Sequence, residues 1–223
     1  MNRRGCRPGS ERPAIVGPPA SLVQGAENPG ERGVQLSSDG WALLLLDYQF
    51  DFLDPAGRMP VDGSQVAAML SATRAALDVA RDHEGLVVRI ANEFPPRHVL
   101  RNLLRHHAAV AGRPGSLWDP GLELPGTTYV PKSKPSAFSN QALCALLGGA
   151  GAREIVVAGV YARACVAATV RDGLAQGFAM TVLADALACR SDGTRAAAIE
   201  RMRTLGATIT TTEQFAATLN KDH

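Results

Sequence analysis

Long apolar runs, paired cysteines and a dominant charge are all missing from this 223-residue chain, and each absence removes a class of protein. Its longest aliphatic stretch, Trp41–Leu46, suits a buried strand and falls far short of the roughly 20 residues a membrane-spanning helix needs. No signal peptide is legible, because the first 40 residues contain no apolar h-region, and Glu11, Glu27 and Glu31 speak against a transit peptide. The four cysteines, Cys6, Cys144, Cys165 and Cys189, form no Cys-x-x-Cys pair, and a chain this long needs no disulfide staples. Reduced thiols in a cytoplasmic protein are therefore expected, with Cys144 and Cys189 as packing. A formal net charge of +2 supplies no concentrated basic face for nucleic acid. Arginines do gather over residues 97–105, which a solvated or substrate-side helix face accounts for.

Residues 1–40 are rich in Pro, Gly, Ser and Arg, and Pro8, Pro13, Pro18, Pro19 and Pro29 interrupt every stretch that could become an element. Such a segment buries too little apolar area to offset its ordering entropy. A disordered extension without a catalytic role is expected there, followed by one domain over residues 41–218. From Trp41 onward, short apolar runs alternate with stretches of helical spacing. The runs predict strands over residues 41–46, 86–91, 127–131, 154–160, 180–184 and 207–211. The helical stretches fall over residues 64–82, 96–110, 140–147, 164–176 and 192–205. Continuous aliphatic strands mark a sheet covered on both faces. The class is α/β, with three layers (α/β/α) around a mostly parallel sheet of about six strands.

In such sheets ligands gather beyond the carboxyl ends of the strands, so the residues just past each strand carry the functional question. The first strand runs into Asp47, where a half-buried carboxylate either caps a turn or serves as a base. Asp51 and Asp54 read as loop residues. The third strand leads to Lys132 and Lys134, either surface lysines or cations able to stabilise a thiolate, an oxyanion or a carboxylate substrate. After the fourth strand, Gly159-Val160-Tyr161-Ala162-Arg163-Ala164-Cys165 puts a cysteine on the first turn of a helix. Free N–H groups and the helix dipole there lower a thiol pKa, although most buried cysteines are inert packing. No Gly-x-Ser-x-Gly elbow exists, and Gly148-Gly149-Ala150-Gly151 precedes a strand where a phosphate loop should follow one.

Taken together, three stretches resemble the isochorismatase-like cysteine hydrolases, the relatives of nicotinamidase, N-carbamoylsarcosine amidase and ureidoacrylate amidohydrolase. They are Leu44-Leu45-Leu46-Asp47-Tyr48-Gln49-Phe50-Asp51-Phe52, Lys132 with Ser136-Ala137-Phe138, and Gly159-Val160 through Cys165-Val166 and Thr169 to Gly177-Phe178 and Asp185-Ala186. The resemblance covers roughly residues 40–215 and implies an isochorismatase-like, Rossmann-like architecture. It also implies an Asp47–Lys132–Cys165 triad, with Cys165 forming a thioester and the backbone N–H groups of Ala164 and Cys165 forming the oxyanion hole. A cis peptide would fall at Val160–Tyr161. Spacing to Ser136-Ala137-Phe138 favours Lys132 over Lys134. Nicotinamidases carry an Asp-x-His motif after the second strand, whereas this chain reads Asn92-Glu93-Phe94-Pro95-Pro96-Arg97-His98. No metal and no other cofactor are therefore expected. By position at strand ends, Asn92, Glu93, Phe94, Tyr161 and Arg163 are candidates for substrate contacts. The expected reaction is cleavage of a C–N bond in a small amide, carbamoyl or ureido compound. Vinyl-ether hydrolysis of the isochorismate type, a nicotinamidase-like activity and a non-catalytic binding role are the alternatives. Family habit favours a homodimer or homotetramer, with no nucleic-acid or membrane partner.

Overall fold

Six consecutive apolar residues, Trp41–Leu46, form β1, and every one of them is buried. A strand sheathed on both faces needs such a run, and each fully buried leucine contributes about 2 kcal/mol. The computed structural model describes residues 40–122, 124 and 127–220, and these form one six-stranded sheet with helices on both sides. Most of the expectation for residues 1–40 lies outside the described residues.

The remaining strands are β2 (Leu86–Asn92), β3 (Thr128–Lys132), β4 (Glu154–Gly159), β5 (Ala179–Leu187) and β6 (Thr208–Thr210). All pair in parallel, in the order β3-β2-β1-β4-β5-β6. The chain builds outward from β1 to β3, returns to the centre, and builds the other way from β4. A crevice thus opens beyond the carboxyl ends of β1 and β4, where the winding reverses.

The helices are α1 (Phe50–Leu53), α2 (Gly63–Asp82), α3 (Val99–Leu103), α4 (Gln141–Gly149), α5 (Ala167–Ala175), α6 (Asp192–Thr204) and α7 (Thr212–Leu219). Alternation along β1 divides the core. Leu43 and Leu45 face Met69, Ala76, Leu77 and Ala80 of α2 and Phe215 and Leu219 of α7. Ala42, Leu44 and Leu46 face Leu143 and Leu147 of α4, Val170 of α5, and Ala198 and Met202 of α6. Local chemistry fixes the helix starts: Asp62, Asn140 and Ser191 cap α2, α4 and α6, and Thr211 with Gln214 forms a full capping box on α7.

Three expectations need correction. Residues 96–110 do not form one helix; only Val99–Leu103 is helical, and His106, His107 and Ala109 then adopt left-handed φ angles of 50°, 59° and 51°. That reversal brings Val110 back beside Phe94, where Phe94 N–H donates to Ala109 O and Ala111 N–H to Phe94 O. Residues 164–176 begin instead with a wide π turn, Ala162–Val166, before α5. Cys144 on α4 is disulfide-bonded rather than reduced, whereas Cys165 and Cys189 are free and buried. No helix among the described residues is long and apolar enough to cross a membrane.

Candidate active site

The carboxyl ends of β1, β2, β3 and β4 deliver four side chains to one buried point. Asp47 follows β1, Asn92 and Lys132 end β2 and β3, and Cys165 lies in the turn after β4. Lys132 Nζ donates to Asp47 Oδ2 at 2.9 Å and to Asn92 Oδ1 at 2.9 Å, and lies 3.3 Å from Cys165 Sγ. Asn92 Nδ2 approaches the same sulfur at 3.6 Å. Since β2 separates β3 from β1 in the sheet, only a long side chain from β3 can reach Asp47. Lysine meets that need, and its path runs over Asn92. Lys134 is exposed and takes no part.

Tight backbone geometry holds these groups. Asp47 has a φ of 60°, rare for a non-glycine residue and found where function over-determines the backbone, and its N–H donates to Ile90 O at 2.7 Å. Gly159 has a φ of 125°, and a Cβ there would stand 2.1 Å from Leu46 O, so only glycine lets β4 close on β1 at the site. The next peptide, Val160–Tyr161, is cis. Thr169 ties two of the sequence motifs together, donating to Cys165 O at 2.8 Å and accepting from Ala137 N–H at 3.0 Å. The turn after Lys132 is thereby locked to the turn that carries the sulfur.

A family model described as "Isochorismatase domain" matches residues 41–214, most of the chain. The chain belongs to the isochorismatase family. Streptothricin hydrolase of Streptomyces noursei is 32% identical over 152 residues, 65% of this chain, but the chain spans only about half of that relative (48%). Ureidoacrylate amidohydrolase RutB of Caulobacter vibrioides is 26% identical over 205 residues, covering 81% of this chain and 91% of that protein. Among solved structures, an isochorismatase family protein from Desulfovibrio vulgaris superposes with a TM-score of 0.73 at 25% identity, over 82% of this chain and 99% of that one. Pyrazinamidase of Pyrococcus horikoshii, solved with zinc, shares the fold (TM-score 0.68, 24% identity, 77% and 98% covered).

The other expected residues divide. Glu93 accepts a hydrogen bond from Tyr129 Oη at 2.5 Å. Phe94 is buried and carries the Arg105 guanidinium over its ring at 3.9 Å. Tyr161 packs edge-on against Phe52, hydrogen-bonds Met59 O, and lines a cavity of about 240 Å³ with Arg163, Ala164, Cys189, Arg190 and Thr194. In the resting structure Ala164 N–H donates to Tyr161 O at 2.9 Å. Among the described residues, no three His, Cys, Asp or Glu side chains come together to hold a metal. The Glu93 carboxylate is engaged elsewhere and His98 sits at the start of α3, so the donors in this region do not fit such an ion.

Two positioning residues escaped the sequence. Gln49, fully buried, donates to Asn92 O at 2.8 Å and accepts from Asn92 N–H at 3.0 Å. Asp51 reads as a loop residue, yet it accepts from Ala109 N–H at 2.8 Å and from Arg58 N–H at 3.3 Å, pinning the segment after α3. Gly115 leaves the space its carboxylate fills. The available signal was their place in the stretch beginning at Asp47.

Electrostatics departs from the sequence expectation at the thiol. Burial and then the Asp47 charge push Cys165 up to about 12, against the pull of Lys132 and Asn92. Any lowering by the turn's N–H groups is outweighed. Burial also raises Asp47, with Lys132 the main opposing influence. Burial opposes the Lys132 charge, but Asp47 and Cys165 together hold the ammonium above the ordinary lysine range. The site thus sets a thiol that burial disfavours as an anion beside the buried Lys132–Asp47 pair.

Proposed function

We propose that this protein is a metal-independent cysteine hydrolase that cleaves a C–N bond in a small amide, carbamoyl or ureido compound. The observation that carries the reading is the Lys132 ammonium, which touches Asp47, Asn92 and Cys165 Sγ at once. Such an arrangement holds a base, a cation and a nucleophile in register. The named activities of streptothricin hydrolase and ureidoacrylate amidohydrolase support hydrolysis as the reaction class.

In the proposed cycle, Asp47 takes the thiol proton as Cys165 Sγ attacks the carbonyl carbon. Lys132 offsets the negative charge that develops on sulfur, while backbone N–H groups of the Ala162–Val166 turn face the carbonyl oxygen. Ala164 N–H serves there once it leaves Tyr161 O. The C–N bond then breaks, Asp47 returns its proton to the departing nitrogen, and ammonia or an amine leaves a thioester. Water, deprotonated by Asp47, attacks the thioester; the C–S bond breaks, the sulfur regains a proton and an acid departs. One carboxylate thus serves both half-reactions.

Incubation with a panel of small amides and ureido compounds, followed by intact mass, tests this reading. An acyl adduct on Cys165, together with loss of ammonia release in a folded Cys165→Ala variant, is expected. Undiminished ammonia release from that variant would overturn it.

A further inference from the structure

Asn92 touches the reacting sulfur, yet the proposed cycle gives it no part. Its Nδ2 lies 3.6 Å from Cys165 Sγ, and its Oδ1 accepts from Lys132 Nζ at 2.9 Å. Chemistry fixes which end of the amide faces the sulfur. An ammonium has three donors and no acceptor, so only the oxygen can lie against Lys132, and the NH2 group turns to Cys165. The ammonium itself faces three acceptors, Asp47 Oδ2 at 2.9 Å, Asn92 Oδ1 at 2.9 Å and Cys165 Sγ at 3.3 Å, which matches its three protons. Lys132 therefore has a single N–H for the sulfur, and Asn92 holds a second donor within reach.

The Asn92 backbone is held as firmly as its side chain. On one side β2 pairs with β3, Asn92 opposite Lys132; on the other, β1 has already ended at Leu46. Asp47 turns away with a φ of 60°, which would leave the Asn92 N–H and C=O on that side buried without partners. The fully buried Gln49 side chain stands in for the missing strand. It accepts from Asn92 N–H at 3.0 Å and donates to Asn92 O and to Ser116 O, each at 2.8 Å. One amide thus ties the exits of β1 and β2 to the segment at Ser116. Asp47, Asn92, Lys132 and Cys165 are all buried, so little water can turn to solvate an anion formed on the sulfur. Donors aimed at it beforehand must do so instead.

We propose that Asn92 is a catalytic residue, donating from Nδ2 to Cys165 Sγ whenever the sulfur is an anion, and that Gln49 acts through it as a positioning residue. The sulfur is anionic twice. Its proton passes to Asp47 during attack; later the thioester C–S bond breaks and its electron pair returns to sulfur, before a proton rejoins it. The assignment rests on Cys165 as nucleophile, but its test needs no substrate. Alkylation of Cys165 at pH 8 is followed by peptide mass in the full chain and its variants, with iodoacetamide and with the bulkier N-ethylmaleimide. A changed thiolate population moves both rates by one factor, whereas a changed opening moves the bulkier reagent more. Asn92→Ala should slow both by about 10- to 100-fold, the loss of one hydrogen bond to a charged group. Asn92→Asp, of the same size but with an anionic oxygen in place of the donor, should slow them further. It carries the test alone if the alanine variant does not melt cooperatively. Gln49→Met should slow both rates in the same direction, and adding it to Asn92→Ala should bring no further loss. Unchanged or faster alkylation in folded Asn92 variants, as an Asn92 that only binds substrate would give, overturns the proposal. So does slowing confined to the bulkier reagent, or Gln49 and Asn92 losses that multiply. The hydrolase reading fails on a different result, the absence of any acyl adduct on Cys165.

Discussion

Replacing Asp47 with asparagine separates two roles that the buried cluster fuses. With Cys165 pushed up to about 12, little of the thiol is ionised at pH 7. In the proposed cycle Asp47 therefore takes the proton during attack. Yet the Asp47 charge is also one cause of the raised value, after burial. Both groups lie within reach of the same ammonium, at 2.9 and 3.3 Å, so they are no more than roughly 6 Å apart. At an effective dielectric of ~20, charges at that separation interact by about 3 kcal/mol, on the order of 100-fold in thiolate population. Asp47→Asn preserves size and an acceptor for Lys132 Nζ while removing the charge and the base. Alkylation of Cys165 by iodoacetamide at pH 8, followed by intact mass, should accelerate by on the order of 100-fold. Ammonia release from any substrate found should fall by about 10³-fold or more. The two rates move in opposite directions only if Asp47 is both base and neighbouring anion. A parallel fall in both would refute the reasoning.

Lys132→Met should remove about 3–5 kcal/mol of stability, because it strands the buried Asp47 carboxylate. Without the ammonium, the folded-state pKa of Asp47 rises further above its unfolded value of 3.8. The loss should therefore be larger at pH 8 than at pH 5, and a pH-independent loss in urea unfolding would contradict the ion pair. Gly159→Ala meets both a φ of 125° and the Leu46 carbonyl, and should cost at least ~2 kcal/mol; a thermal midpoint within a degree of the parent would show that the strands can part. Glu154 is buried at the start of β4, where burial raises its carboxyl and Thr181 Oγ1 donates to it at 2.8 Å. A raised folded value means that stability is lost as pH climbs from 4.5 through that value. Glu154→Gln, which keeps the acceptor, should thus raise the melting temperature at pH 8 and change little at pH 4; equal shifts at both would count against the burial argument.

The sheet was readable because its signals are local. An unbroken aliphatic run such as Trp41–Leu46 can be satisfied only with protein on both faces, and β-branched stretches between helical ones force a parallel sheet. Asp47 and Lys132 were legible as the first chemical residues past strands, and Cys165 as the thiol in the strand-to-helix turn after β4. The segment 96–110 was not, since its arginine and leucine spacing suits a helix while its path is set by the Phe94 backbone and by Asp51, 58 residues before Ala109. The part Gln49 plays shows only once Asn92 arrives from β2 to fill both ends of its amide.

Sequence alone therefore determined the fold class, the family likeness and the identity of the nucleophile candidate, because periodicity and strand-end position are properties of neighbouring residues. Only tertiary structure decided that Lys132 reaches across β2, that Asn92 is held between ammonium and sulfur, and that burial pushes the thiol up. Those outcomes depend on strand order and on burial, which set the distance and the dielectric between charges, and neither quantity belongs to any single stretch of chain.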